Sequence, residues 1–295
     1  MATQDLKEQT AVREKVREGY SKIARAGSSE RVETRCCGSE PAAPQAPGCC
    51  GPGAAQETAQ AVGYSEAELA TLPEGANMGL SCGNPTALAE LKPGEVVVDL
   101  GSGGGFDVFL AGQKVGPDGR AIGVDMTPDM LDKARRNTET YRERTGMDNV
   151  EFRLGEIEHL PLPDNSADAM ISNCVINLSP DKPQVWNEIA RVLKPGGRVS
   201  VSDLALRRPL PDGVADMVEA LVGCVAGAVL IDETRAMARN AGLDNLEIEE
   251  KPGYVEAMSE WNDPLFKKIV DNLPEGTGPG DFIVSTNLTA RKTRP

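Results

Sequence analysis

The sequence is poor in three features that would point to common functions. Its 295 residues include one histidine, and 31 Lys and Arg against 45 Asp and Glu leave a net charge of −14. Such a charge repels phosphate backbones and anionic lipids, so neither nucleic acid nor a membrane is expected as a partner. There is no apolar run of about 18 residues and no N-terminal basic segment followed by an apolar one. We therefore expect a soluble, cytoplasmic protein.

Cysteine is present in an odd number. The seven thiols would stay reduced in the cytosol and be available for metal, catalytic or redox chemistry. Four of them form Cys-Cys-Gly triplets at 36–38 and 49–51, within a stretch rich in Gly, Pro, Ser and Ala. That stretch has almost nothing to bury, which predicts a mobile loop after an amphipathic helix over residues 4–26. Incidental thiols in a disordered tail are the alternative, although exposed thiols are an oxidation liability.

From residue 94 the pattern alternates between apolar runs and helical periodicity. Continuous apolar runs predict strands buried on both faces. The predicted strands are 95–101, 120–125, 149–155, 167–173 and 197–203. Thr127 and Ser179 are predicted N-caps of two intervening helices, and Gly196 is the predicted stop of the second. This order predicts an α/β, doubly wound parallel sheet, whose ligand sites lie at the carboxyl ends of the strands.

The loop after the first predicted strand, DLGSGGGFD, is rich in glycine. Glycine allows a tight turn and lets the backbone approach a ligand closely. A dinucleotide-binding loop is the competing interpretation, but residues 101–106 read GSGGGF and lack its final glycine. Asp125 ends the second predicted strand, where a carboxylate can hold both ribose hydroxyls of an adenosyl group. That position serves NAD and S-adenosylmethionine equally well.

Taken together, DLGSGGG, GVDM, GEIE and VLKPGGR resemble the motifs of the class I S-adenosylmethionine-dependent methyltransferases over roughly residues 75–205. Within that class, GLSCGNPTALAELKPGE, ISNCVINLSPDK and LVGCVAGAV are similar to the cysteine-bearing segments of the arsenite methyltransferases. The resemblance implies a Rossmann-like sheet with an antiparallel pair at its edge, built from 246–250 and 282–292. It divides the chain into an N-terminal helix and Cys-rich segment (1–74), a cofactor-binding core (75–205) and a substrate-binding and edge-strand region (206–295).

The resemblance also implies roles for individual residues around the cofactor S-adenosylmethionine. The loop after the first strand would hold its methionine part, the end of the second strand its ribose and the segment after the third its adenine, with one asparagine near the sulfonium. The implied cofactor-binding residues are Asp99, Gly101, Gly103, Asp107, Asp125, Met126, Glu156, Ile157 and Asn173.

Cys82, Cys174 and Cys224 match the three cysteines that hold trivalent arsenic in this family. A fourth family cysteine lies upstream, among Cys36, Cys37, Cys49 and Cys50, and we expect Cys49 or Cys50 to join a disulfide relay that thioredoxin or glutathione resets. The implied substrate is arsenite or its glutathione complex, and the chain is expected to act as a monomer. Ser81 replaces the glycine usual in the family, a change expected to restrict the turn that presents Cys82.

The chemistry of methyl transfer agrees with a soft acceptor. In-line attack on a sulfonium methyl needs an aligned lone pair. The one histidine, His159, is expected to pack or to be solvated and not to serve as a base. Trivalent arsenic carries its own lone pair, and thiolates are its natural ligands. Three cysteines would hold it in a pyramid with the lone pair directed outward.

Two other classes of function remain open from the sequence. A small-molecule methyltransferase acting on a quinone or sterol-like carbon would share the cofactor loop but need none of the three cysteines. A non-catalytic thiol protein that binds a metalloid or zinc would use the cysteines and leave the cofactor loop unexplained. Each cysteine also has a packing alternative, which is strongest for Cys224 in an apolar helix.

Overall fold

The computed structural model describes residues 2–26, 52–215, 227–251 and 270–294, together with residues 225, 253 and 255. Five cysteines for which the sequence suggested roles lie outside the described residues, namely Cys36, Cys37, Cys49, Cys50 and Cys224. Residues 216–224, where an apolar helix containing Cys224 was expected, also lie outside them.

A seven-stranded sheet organises the described chain, in the order β3-β2-β1-β4-β5-β7-β6. The strands are β1 (Val96–Leu100), β2 (Arg120–Asp125), β3 (Val150–Leu154), β4 (Ala167–Asn173), β5 (Leu193–Leu206), β6 (Leu243–Lys251) and β7 (Ile283–Lys292). Strands β1 to β5 pair in parallel, whereas β7 is antiparallel to both β5 and β6. The α/β doubly wound sheet with an antiparallel edge is thus confirmed. The strand order reverses between β1 and β4, where sheets of this kind bind ligands.

The helices flank the sheet on both faces. They are α1 (Ala2–Ala26), α2 (Pro52–Ala61), α3 (Glu66–Thr71), α4 (Pro85–Leu88), α5 (Phe106–Val115), α6 (Pro128–Thr145), α7 (Lys182–Val192), α8 (Asp212–Ala215) and α9 (Ile231–Asn240), with single 3₁₀ turns at Ile176–Leu178 and Pro279–Asp281. Consecutive strand residues face opposite sides, so Val97 packs with Phe109 of α5 while Val98 packs with Trp186 of α7. Two apolar layers therefore fix the strand ends on which the site is built.

The ends of α7 differ from the prediction. Asp181, not Ser179, caps the helix, because its Oδ1 accepts a hydrogen bond from the backbone N–H of Gln184 at 3.1 Å. The Ser179 hydroxyl instead donates to the buried carboxylate of Glu158 at 2.6 Å. Gly196 does not stop the helix either, since α7 ends at Val192 and β5 begins directly at Leu193. Prediction of Thr127 as the N-cap of α6 is confirmed, although its side chain makes no capping hydrogen bond.

Helix α1 lies across the carboxyl edge of the sheet. Arg13 pairs with Glu156 and Glu158 at 3.4 Å each, and Arg25 forms a bidentate pair with Asp129 at the start of α6. Val16 is buried against the 3₁₀ turn that follows β4. The helix thus covers the strand ends with an apolar stripe and attaches through basic side chains. Within the described ranges, no helix is long and apolar enough to span a bilayer.

Candidate active site

A cleft of about 1000 Å³, open to solvent, lies at the carboxyl ends of β1, β2 and β4 beneath α1. Among the implied cofactor-binding residues, it is lined by Asp99, Gly101, Gly103, Asp107, Asp125, Met126, Ile157 and Asn173. Glu156 does not line it, because its carboxylate turns towards Arg13 and Arg17 of α1. Glu158 does line the cleft, as do Arg13, Val16 and Tyr20 of α1. No feature of the sequence indicated that α1 would contribute to this wall.

Asp125 is held in one orientation at the end of β2. Its Oδ1 accepts the backbone N–H of Thr127 at 2.7 Å, and its Oδ2 accepts that of Gly103 at 2.9 Å. Burial raises the pKa of this carboxyl, while the two backbone donors oppose the shift. A carboxylate can accept about four hydrogen bonds, so Asp125 keeps capacity to accept from a ribose hydroxyl.

The glycine loop leaves room for a ligand because side chains are absent from it. Gly101 and Gly103 have φ values of +65° and +50°, a region that favours glycine, and a Cβ on Gly101 would overlap Val175. Helix α5 begins directly after this loop, and its first residues, Phe106 and Asp107, line the cleft. The loop and the start of α5 thus form a concave surface that can present backbone N–H groups to a ligand.

Asp99 lies at the floor of the cleft. It is 5% exposed, and among the described residues no group is seen to donate to its carboxylate. Burial, together with the charges of Asp107 and Asp125, raises the pKa of Asp99 well above its ordinary range. A buried acid of this kind is stabilised by a cationic ligand. The α-ammonium and sulfonium groups of S-adenosylmethionine supply such charge, so the cleft fits that cofactor.

The side chain of Asn173 links the two halves of the site. Its Nδ2 lies 3.2 Å from Asp107 Oδ2, 3.2 Å from the Tyr64 hydroxyl and 2.9 Å from the carbonyl oxygen of Gly83. Its Oδ1 accepts the backbone N–H of Cys82 at 3.1 Å. One amide thus touches both the cofactor cleft and the cysteine segment.

Two further residues of this network, Tyr64 and Thr86, were missed by sequence reasoning. Their hydroxyls both donate to Asp107 Oδ1 at 2.7 Å, and burial is the largest cause that raises the pKa of Asp107 while these donors lower it. Thr86 belongs to the GNPT run after Cys82, which was quoted only for its cysteine. Tyr64 lies in a short connection, and nothing in its neighbourhood marks it as functional.

Cys82 and Cys174 are joined by a disulfide across 92 residues of sequence, with their Cα atoms 6.1 Å apart. Cys174 lines the cleft directly after β4, and its backbone N–H donates to the carbonyl oxygen of Ser202 at 2.8 Å. The Cys82 sulfur lies 3.3 Å from the same oxygen. Cys174 has φ +56°, a left-handed conformation that is uncommon for a residue with a side chain. Two of the three cysteines predicted to hold arsenic are therefore brought together beside the cofactor cleft.

Asp203 is the other acidic group near this pair. One carboxylate oxygen and the two sulfurs all lie within 4.8 Å of one another. Burial raises the pKa of Asp203 to about 7, although Asn177 Nδ2 and the Leu204 N–H each donate to Oδ1 at 2.9 Å. Its position at the end of the VSVSD run, one strand over from Cys174, was a signal that the sequence analysis did not use.

The turn that presents Cys82 tolerates serine at position 81. Ser81 is not among the described non-glycine residues with positive φ, so its replacement of glycine does not introduce backbone strain. The expectation of a restricted turn is wrong for this reason. Gly83 is the position that needs glycine, because a Cβ there would lie 2.5 Å from the Cβ of Ser202. The segment that carries Cys82 is held by this close contact with β5 and by the Ser285 hydroxyl, which donates to the Cys82 carbonyl oxygen at 3.0 Å.

Comparison with known proteins agrees with this geometry. A family model described as a methyltransferase domain matches residues 91–242. An arsenite methyltransferase of Halobacterium salinarum is 44% identical over 281 residues, which is 95% of this chain and 66% of the relative. The arsenite methyltransferase of Homo sapiens is 37% identical over 151 residues, or 50% of this chain and 40% of the relative. The chain thus spans less than two thirds of the length of these curated relatives.

A solved structure of an arsenic (III) S-adenosylmethionine methyltransferase from Chlamydomonas reinhardtii matches with a TM-score of 0.58 and 33% identity, covering 80% of this chain and 73% of that one. The family model, the strand order and the cleft define a class I S-adenosylmethionine-dependent methyltransferase. Within this class, the chain belongs to the arsenite methyltransferase family, because a relative at 33% identity is covered over 73% of its length. The resemblance drawn from the sequence motifs is confirmed.

The left-handed backbone at Cys174 predicts an unusual order of stabilities. Under reducing conditions Cys174→Gly should be more stable than Cys174→Ala by about 0.5–1 kcal/mol. Glycine relieves the strain of the left-handed backbone in the folded state, and the greater entropy that it gives the unfolded chain offsets only part of this gain. Urea unfolding of both variants measures the difference. The same pair at Cys82, whose φ is not positive, is the control and should show the opposite order. Equal stabilities at position 174 would contradict the interpretation.

The charge of Asp99 predicts a pH-dependent cofactor site. Its pKa is raised in the free protein, and a bound cation would lower it, so binding at low pH must release a proton. Affinity for S-adenosylhomocysteine, which retains the α-ammonium, should therefore rise with pH and level off above the free-protein pKa. Calorimetric titrations from about pH 5 to about pH 8 test this, with Asp99→Asn expected to give a flatter profile. A flat profile for the unmodified protein would refute the assignment.

Proposed function

We propose that the protein transfers a methyl group from S-adenosylmethionine to trivalent arsenic held by cysteine thiolates. The observation that carries the proposal is the position of Cys174, which lies next to Asn173 in sequence and on the wall of the cofactor cleft, with Cys82 beside it. The names of the relatives support arsenic as the acceptor. Detoxification of arsenic follows as the biological role.

The cofactor supplies an electrophilic methyl group on a sulfonium when it is bound. Asp125 would hold its ribose, and the Gly101 and Gly103 turns would let the backbone approach its amino-acid part. Asp99 would balance its positive charge. Helix α1 covers one side of the cleft with Val16 and Tyr20, which would reduce the access of water to the reacting groups. Catalysis then rests mainly on placement, since no proton has to be removed from a lone pair on arsenic.

Arsenic would enter as arsenite or its glutathione complex and exchange its ligands for protein thiolates. Cys82 and Cys174 provide two of them, and we assign the third to Cys224. In the disulfide form neither sulfur of the pair is a thiolate, so two electrons and two protons from thioredoxin or glutathione must first open that bond. The arsenic lone pair would then point towards the cleft, in line with the departing sulfur.

Methyl transfer to the lone pair raises arsenic from the trivalent to the pentavalent state. Two thiols that become one disulfide supply the two electrons that return it, with release of two protons. We assign this step to a relay that includes Cys49 or Cys50, and its reset to thioredoxin or glutathione. The proposal also places the protein in the reducing cytoplasm as a monomer, and gives residues 206–295 the task of completing the substrate site.

The proposal predicts transfer of label to arsenic. Reduced protein incubated with arsenite, glutathione and methyl-labelled S-adenosylmethionine should yield labelled methylarsenic species, separated by chromatography. Cys82→Ser, Cys174→Ser and Cys224→Ser should each lose at least about a hundredfold in rate while keeping cofactor binding, since each removes one arsenic ligand. Cys36→Ser, outside the proposed ligand set, is the matched control.

Other outcomes separate the alternatives. Label found only on quinone or sterol-like acceptors would favour a small-molecule methyltransferase. Tight arsenite binding without transfer of label would favour a thiol protein that stores or senses the metalloid. Either result would overturn the proposed activity.

The relay predicts a difference between one turnover and many. A variant carrying both Cys49→Ser and Cys50→Ser should complete the first methyl transfer at the rate of the unmodified protein and then stop, because arsenic is not returned to the trivalent state. Rapid-quench assays with thioredoxin present measure both phases. Cys36→Ser with Cys37→Ser is the control pair. Sustained turnover in the first variant would exclude Cys49 and Cys50 from the relay.

A further inference from the structure

A continuous set of hydrogen bonds runs from Tyr64, through Asp107 in the wall of the cofactor cleft, to the backbone of Cys82. It begins at Tyr64, whose hydroxyl donates to Asp107 Oδ1 at 2.7 Å. Asn173 lies next, with Nδ2 3.2 Å from Asp107 Oδ2 and Oδ1 receiving the Cys82 N–H at 3.1 Å. Tyr64, Asp107 and Cys82 are each at most 5% exposed, so solvent competes little for these groups.

We propose that Tyr64 is a positioning residue that couples occupancy of the cofactor cleft to the placement of Cys82, acting through Asp107 and Asn173. The role of Cys82 as an arsenic ligand rests on the proposed function, whereas the coupling itself is a property of the hydrogen-bond network. Tyr64 touches neither the reacting atoms nor the arsenic ligands.

The amide of Asn173 supplies the physical basis of the coupling. Its Nδ2 carries two hydrogens but faces three acceptors, namely Asp107 Oδ2, the Tyr64 oxygen and the Gly83 carbonyl oxygen. A cation in the cleft competes with the amide for Asp107. Once Asp107 is satisfied by the cation, the amide hydrogens go to the other two acceptors. Gly83 follows Cys82 directly, so the bond that strengthens is the one that seats the arsenic-ligating segment.

Tyr64 supplies one of the acceptors between which the amide hydrogens of Asn173 are distributed. Because its proton is committed to Asp107, its oxygen is left to accept from Asn173. Its ring is fixed independently, packed edge-on against Phe106 with ring centroids 4.7 Å apart. Burial and the adjacent Asp107 raise the pKa of Tyr64 well above 10, which keeps the hydroxyl a donor. Removing only this oxygen should therefore leave the fold in place and alter the network.

Thr86 ties the same network to the cysteine segment from the other side. Its hydroxyl donates to Asp107 Oδ1, and it lies in α4, whose N-cap Asn84 also bonds to the carbonyl oxygen of Gly63 beside Tyr64. The segment that carries Cys82 is thus attached to Asp107 at two places, through Asn173 and through Thr86. A change at Asp107 can reach Cys82 without any movement of the sheet.

The test compares reduced Tyr64→Phe with the unmodified full-length protein. Two quantities are measured with and without S-adenosylhomocysteine, namely the arsenite dissociation constant and the rate of Cys82 alkylation by iodoacetamide, read from its peptide by mass spectrometry. In the unmodified protein the ligand should change both by about fivefold or more. In Tyr64→Phe the ratio of each quantity with and without S-adenosylhomocysteine should fall towards one. Arsenite binding in the absence of cofactor should change by less than about threefold.

Tyr141→Phe is the matched control, because Tyr141 is likewise a buried tyrosine whose hydroxyl donates a hydrogen bond. Its acceptor is Asn149 Oδ1 at 2.8 Å, and it lies outside the cleft. It should retain the full coupling. If Tyr64→Phe does not fold, Thr86→Val replaces it, with Thr86→Ser expected to restore the coupling because it keeps the hydroxyl.

Three results would overturn the proposal: no coupling in the unmodified protein, full coupling in Tyr64→Phe, or equal loss of coupling in Tyr141→Phe. Failure of the proposed function is distinguishable from these. If the unmodified protein does not bind arsenite at all, the arsenic assignment fails, and the alkylation rates still decide whether cofactor occupancy reaches Cys82.

Discussion

The site is built around three buried carboxyl groups, none of which forms an ion pair with a described residue. Asp99, Asp107 and Asp125 all lie at the carboxyl edge of the sheet, each at most 8% exposed, and the burial of each raises its pKa. Charges removed from water in this way are costly unless other groups compensate for them. Asp125 and Asp107 are compensated by hydrogen-bond donors, whereas Asp99 is compensated by none of the described residues. A positively charged cofactor would compensate Asp99, and the surrounding loop geometry is what admits it.

The topology of the sheet explains why the acidic cleft and the cysteine pair meet at the end of β4. The strand order reverses between β1 and β4, so the loops that follow these strands diverge and leave a cleft. Asn173 ends β4 and faces the acidic floor, while Cys174, the next residue, turns into the left-handed region towards β5. Adjacent residues therefore face different parts of the site, and the unusual backbone conformation at Cys174 is what separates their directions.

The parts of this arrangement that depend on local pattern could be predicted from the sequence. The apolar runs located the parallel strands, and Asp125, Gly101 and Gly103 followed from their positions at strand ends. The roles of Tyr64 and Thr86 could not be predicted, because each acts through a hydrogen bond to Asp107 that only the folded chain creates. The capping of α7 failed for a similar reason, since Glu158 draws the Ser179 hydroxyl away from the helix. Helix-capping preferences read from the sequence do not account for such tertiary hydrogen bonds.

The link between Cys82 and Cys174 also has a topological consequence. The segment between them, at a sequence separation of 92, includes β1, β2, β3 and β4, so the bond closes a ring that contains most of the cofactor cleft. If the two thiolates hold arsenic as proposed, the metalloid bridges the same two sulfurs and closes the same ring through S–As–S. The substrate would then act as a cross-link of the chain, restricting the unfolded state much as the disulfide does. Arsenic binding would thus replace one closure of this ring with another.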